Sequence, residues 1–129
     1  MNALRLLLLT VGILIVGCRH GSDLPLNLLK VDTVDNDTNL KVTYTAYREK
    51  AGREIKHGVL VMWYESGRKY IEANYSRGEL NGKFTIFTEE GKPEVEGIYR
   101  HGKPWDGEFQ IGHEIFQYAA GKSMGKRVD

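Results

Sequence analysis

Few residues of this 129-residue chain are spaced for chemistry. His20, His57, His101 and His113 stand 37, 44 and 12 residues apart, so none has the i, i+4 partner with which a helix holds zinc. His113-Glu114 is a lone dipeptide, and His57 and His101, each just before a glycine, read as exposed residues of turns between repeating units. Ser22, Ser66, Ser76 and Ser123 lie outside any G-x-S-x-G elbow, the sharp turn that presents a nucleophile. Glu89-Glu90 and the pair Glu94 and Glu96 superficially match the two carboxylates of acid-base hydrolysis. At a turn tip and on an alternating strand they read as a solvated face. Asp35-Asn36-Asp37-Thr38-Asn39 supplies the first three ligand positions of a calcium loop, then Leu40 where glycine is needed and Ala46 where a bidentate Glu is needed. It reads as a solvated loop. Asn36-Asp37-Thr38 and Asn74-Tyr75-Ser76 match the N-glycosylation acceptor pattern. The glycines recur at intervals instead of clustering around a phosphate. The expectation is therefore a non-enzyme with no catalytic residue, no metal ligand and no cofactor.

Cys18 is the exception, and it is the chain's single cysteine, which excludes an internal disulfide framework. It ends an apolar run from Leu6 to Val16 that follows one basic residue, Arg5, and is shorter than the roughly 20 residues a membrane-spanning helix needs. A run of that length behind a basic start has the pattern of a secretory signal peptide. Ile15-Val16-Gly17-Cys18 resembles the lipobox of bacterial lipoproteins. The resemblance implies cleavage before Cys18, acylation of its thiol, and a bacterial cell membrane or outer membrane location facing outside the cytoplasm. Several acyl chains anchor far more firmly than one, at about 0.8 kcal/mol per buried methylene. Arg19 follows the cysteine, and the absence of Asp there resembles lipoproteins sent on to the outer membrane of Gram-negative cells.

Charge supports attachment by lipid. With 18 Lys plus Arg against 17 Asp plus Glu, the formal net charge of +1 supplies neither a polybasic membrane patch nor the basic footprint of a nucleic-acid binder. Domain organisation follows: residues 1–17 as signal peptide, 18–39 as lipidated N-terminus and tether, and 40–129 as one folded domain. Leu26, Leu28 and Leu29 of the tether could lie along the domain edge.

The folded part is built on a repeat. Gly58, Gly67 and Gly78 recur 24 residues later as Gly82, Gly91 and Gly102. Trp63 and Phe87 each lie five after the opening glycine, and Tyr75 and Tyr99 each lie three before the closing one. A third, shorter unit begins at Gly107, after Pro104-Trp105, with Tyr118 three before Gly121. The units span about 58–81, 82–106 and 107–125. Internal periods of this size mark repeat architectures whose end units are atypical.

Each unit alternates as two strands around a turn, Val59 to Tyr64 and Arg68 to Tyr75 about Glu65-Ser66-Gly67 in the first. Stacking them aligns Leu60, Phe84 and Phe109 in one column, Met62, Ile86 and Ile111 in a second, and Tyr75, Tyr99 and Tyr118 in a third. Leu40 to Tyr47 adds an edge strand before an Ala51-Gly52 turn. The first strand is apolar on both sides, so one side needs a cover from the tether or a partner.

The pattern carried by Gly58, Trp63, Gly67, Tyr75 and Gly78, by Gly82, Phe84, Phe87, Gly91, Tyr99 and Gly102, and by Gly107, Phe109, Tyr118 and Gly121 resembles the MORN repeat. The likeness is to its variant form in bacterial antitoxin-like proteins, and it covers about Lys56 to Gly125. Leu60 departs from the pattern's aromatic. The resemblance implies an all-β, elongated antiparallel meander of hairpins, generally without catalysis, used for protein contacts, dimerisation or membrane proximity. The expected function is a lipid-anchored module binding a protein or envelope component. An antitoxin or immunity-like role against an envelope-acting effector is the alternative. Trp63, Tyr75, Phe87, Tyr99, Trp105 and Tyr118 are the core aromatics of such a sheet and the candidates for its binding face. An open sheet also leaves edges to which a second copy can pair.

Overall fold

The computed structural model describes residues 27–128; the signal segment, Cys18 and the first part of the tether lie outside the described residues, as does Asp129. Among the described residues nine strands follow one another: β1 (Leu29–Val34), β2 (Lys41–Arg48), β3 (Glu54–Trp63), β4 (Lys69–Ser76), β5 (Glu79–Phe87), β6 (Pro93–Arg100), β7 (Lys103–Ile111), β8 (Glu114–Ala119) and β9 (Lys122–Lys126). They form one open sheet in chain order, every strand antiparallel to its neighbours. The described residues form the all-β meander that the repeat pattern predicts.

The 24-residue spacing is a hydrogen-bonding unit. Arg77-Gly78, His101-Gly102 and Ala120-Gly121 all have positive φ at both residues, as the two-residue type I′ hairpin turn requires. The closing glycines Gly78, Gly102 and Gly121 donate their N–H to the carbonyls of Lys56, Leu80 and Trp105, at 2.8, 2.8 and 2.7 Å. Those three acceptors each stand two residues before an opening glycine, so the turns clasp equivalent points of β3, β5 and β7. The β3–β4 and β5–β6 hairpins close by Gly67 N–H donating to Tyr64 and Gly91 N–H donating to Thr88, and Gly52 N–H donating to Glu49 repeats this between β2 and β3.

The opening glycines are not turn residues. Gly58, Gly82 and Gly107 lie inside β3, β5 and β7, in or beside register shifts at Lys56–Leu60, Leu80–Phe84 and Pro104–Asp106. Bulges bend a strand and raise its twist, and these recur once per unit. His57 is correspondingly in strand β3, not in a turn. Its Nδ1 accepts the N–H of Arg77 at 3.2 Å, and Asn81, the equivalent residue one unit on, accepts the N–H of His101 through Oδ1 at 3.3 Å.

The sheet starts earlier than the sequence implies. β1 lies within the segment expected to be tether, and covers β2, which is therefore not the edge. Leu29, Val31 and Thr33 stand opposite Ala46, Tyr44 and Val42, giving a six-residue strand a neighbour for each side chain on that side.

Directly opposed residues share a face, so the register assigns every side chain. The first face carries Val42, Tyr44, Leu60, Met62, Ile71, Ala73, Tyr75, Phe84, Ile86, Val95, Tyr99, Phe109 and Tyr118. The second carries Thr43, Val59, Val61, Trp63, Glu72, Asn74, Lys83, Thr85, Glu96 and Ile98. Most buried apolar residues belong to the first, while Val61 and Thr85 are buried on the second. Phe109 retains 1% of its exposure although no second layer covers it among the described residues. A side chain in a single sheet reaches that value when the residues around it close over it, so the bulged sheet curls toward its apolar face.

Candidate functional site

The six candidate aromatics do not form one surface. Tyr75 stands opposite Gly58, and Tyr99 opposite Gly82. Trp63 and Phe87 lie five residues beyond those glycines, and an odd offset along a strand reverses the side. The tyrosines therefore point to the apolar face, and Trp63 and Phe87 to the other. Trp63 confirms its side by donating its indole N–H to Thr43 Oγ1 at 3.1 Å. Trp105 is the extra residue of a bulge between β6 and β7. Its ring lies under Arg100, with Cζ 4.3 Å from the ring centroid, and over Gly121, where a Cβ would come within 3.1 Å of it. All six are half-buried. The register separates a sequence-defined binding face into two.

On the apolar face, Phe84, Tyr99, Phe109 and Tyr118 form a continuous edge-to-face row. Successive ring centroids are 5.4, 4.9 and 5.5 Å apart and nearly perpendicular. Such pairs contribute about 0.5–1.5 kcal/mol each beyond the area they bury. Here the third column of the repeat is interleaved with the first, and it is core. Burial pushes the Tyr99 phenol above its ordinary 10.0, with smaller repulsions from Tyr75 and Tyr118.

Toward β2 the same face opens into a groove. Its volume is about 260 Å³, and Val42, Leu60, Met62, Ile71, Leu80 and Phe84 line it. Lys56 stands at one side, its Nζ 5.2 Å from the Tyr44 ring centroid and 5.5 Å from that of Tyr75, an ammonium held between two aromatic faces. The Tyr44 hydroxyl donates to Glu54 Oε1 at 2.6 Å, which fixes that ring and raises its phenol above 10.0. Burial raises the Tyr75 phenol likewise. Asp35 closes the rim. Its Oδ1 accepts the backbone N–H and hydroxyl of Thr38 at 2.9 and 2.8 Å and the N–H of Asp37 at 3.2 Å, and the Thr38 bonds hold the carboxyl below 3.8. The carboxylate read as a calcium-loop position thus shapes the loop between β1 and β2. The chemistry on offer is apolar contact with one cation beside it.

No family model, curated protein or solved structure matches this chain. Its chemistry is read from its own residues.

Lys56 escaped the repeat pattern because its equivalents are Leu80 and Trp105. The signal was the position two before each opening glycine, which the structure shows to be the clasp for the following turn. A second cleft, of about 570 Å³, lies where the β1–β2 loop meets the β3–β4 hairpin, with Trp63, Asn39, Lys41 and Glu65 among its walls. The remaining titratable candidates stay apart. Among the described residues no three His, Cys, Asp or Glu side chains gather around a metal-sized site. Glu96 pairs with Lys83 at 3.1 Å on the solvated face.

Proposed function

We propose that this chain is a non-enzymatic β-repeat module, anchored in the bacterial envelope by a lipid on Cys18 and facing outside the cytoplasm. It binds a protein or envelope component through the groove on its apolar face. The observation that carries the binding reading is that groove. Met62, Ile71 and Phe84 stay only half-buried, above the buried Val42 and Leu60, on a face that no second layer covers among the described residues. Leaving apolar surface in water costs about 25 cal/mol per Å² relative to burying it, so an apolar segment seated there gains what the sheet alone leaves unused. The anchor reading rests on the sequence around Cys18.

Two measurements on the full chain test the two parts separately. Palmitate labelling in the producing cell should vanish with Cys18→Ala, and labelling that persists would remove the anchor. Recovery of a binding component from solubilised membranes should fail with Met62→Glu on the groove side and survive with Val59→Glu on the opposite face, where Val59 is 45% exposed. Circular dichroism of both variants reports whether the sheet is retained. Equal recovery by both folded variants would reject the groove.

A further inference from the structure

Among the described residues the sheet ends at two edges, the outer sides of β1 and β9. Each presents a row of backbone N–H and C=O groups that no strand among the described residues pairs with. The two edges differ in what their side chains allow. On β1 the second-face residues read, in order, Leu28 just before the strand, then Lys30, Asp32 and Val34. Leu28 is 48% exposed and Val34 52%, so both apolar side chains are open to a neighbour. Neither Lys30 nor Asp32 has an ion-pair partner among the described residues. The order apolar, positive, negative, apolar becomes its own complement when reversed.

We infer that β1 pairs antiparallel with β1 of a second copy, centred on Val31, joining two sheets edge to edge into a homodimer. In that register Lys30 faces Asp32 of the other copy twice, Leu28 faces Val34 twice, and Val31 meets its counterpart on the apolar face. Opposite charges and apolar pairs placed directly across an antiparallel ladder stabilise it, and like charges there oppose it. The same operation on β9 gives the opposite sign. Centred on Met124, it sets Lys122 against Lys126 in both pairs. The lysines of β9 therefore oppose its pairing with a second β9, whereas the one lysine of β1, Lys30, meets Asp32 of the other copy. A contact of β1 with itself is isologous and closes at two copies, whereas β1 on β9 would run on into open filaments.

The test uses the full chain in mild detergent, carrying Cys18→Ser so that an introduced thiol stands alone. Directly opposed residues of an antiparallel pair have Cα atoms about 4.5–5.5 Å apart, within the roughly 4.4–6.8 Å that a disulfide spans. Val31→Cys should give a covalent dimer on mild oxidation, and Met124→Cys, the position of β9 that would face its own copy, should not. In sedimentation velocity, Lys30→Asp should raise the dimer dissociation constant by about tenfold or more, because both cross-strand pairs become repulsive. Combining it with Asp32→Lys should restore the original value, which loss of folding would not do. A chain that stays monomeric at all concentrations, crosslinks through Met124→Cys instead, grows into open polymers, or is not restored by the charge exchange overturns the inference.

Discussion

The ring of Phe109 fills the space that a side chain at Gly97 would occupy. A Cβ built on Gly97 would stand 2.8 Å from Phe109 Cε1 and 2.8 Å from the Glu108 carbonyl oxygen. Gly97 lies in β6 with its partner Gly107 on β7, and the missing side chain lets the fully buried ring cross the strand boundary to reach Tyr99. Glycine normally weakens a strand. Here it makes the aromatic row continuous.

Gly97→Ala should therefore destabilise the sheet by about 1–3 kcal/mol, the usual cost of overpacking, although alanine is the better strand residue. Urea unfolding read by circular dichroism measures it. In a Phe109→Leu background part of the penalty should disappear and part persist, since the Glu108 carbonyl remains. A stabilising Gly97→Ala would show that the ring does not need the gap.

Phe109→Ala should cost about 3–5 kcal/mol, because the side chain is buried and its removal leaves a cavity in the row. Ile111→Ala, two residues along the same strand at a position 49% exposed, should cost well under half of that. Comparable losses at both positions would place the core elsewhere.

Ala120 adopts a φ of 48° in the turn before Gly121. Left-handed backbone disfavours a residue with a Cβ, and Asn-Gly is the preferred pair for this hairpin turn. Ala120→Asn should raise stability by about 0.5–1 kcal/mol, seen as a higher midpoint in thermal unfolding.

Burial raises the Tyr75 and Tyr99 phenols above 10.0 in the folded chain. The unfolded chain loses those protons first, so their contribution is fully present below about pH 10 and declines as pH rises through the folded values. The urea midpoint should fall more steeply above about pH 10 in the native sequence than in a Tyr75→Phe, Tyr99→Phe double variant. Absorbance titration should show these two phenols ionising late.

What the sequence displays of this fold is what its turns demand. Gly78 and Gly102 recur at 24 residues because each ends a two-residue hairpin that needs positive φ, and Gly67 and Gly91 recur because they close the other hairpin. The placement of Ile71, Ala73 and Tyr75 on one side of β4 is equally readable, since a strand has a fixed period of two. β1 is less visible because Leu29, Val31 and Val34 are interspersed with Lys30, Asp32 and Thr33, with no glycine or aromatic in register with the repeat. The division of the aromatics required knowing that Tyr75 pairs with Gly58, a relation between strands that spacing within one strand does not contain. Gly97 stands out in the sequence as the glycine off the repeat, but the ring that explains it arrives from the neighbouring strand. The groove is less legible still, since Lys56 gains its place from Tyr44 and Tyr75 on two other strands.

On the proposed function the apolar face, not the polar one, receives the partner. Photocrosslinking tests it most directly, with benzoylphenylalanine placed at Met62 in the groove and, separately, at Val59 on the opposite face, in the full chain in its own membranes. A discrete adduct from Met62 and none from Val59 is the expected result. An adduct from Val59 alone would assign binding to the other face and contradict the account.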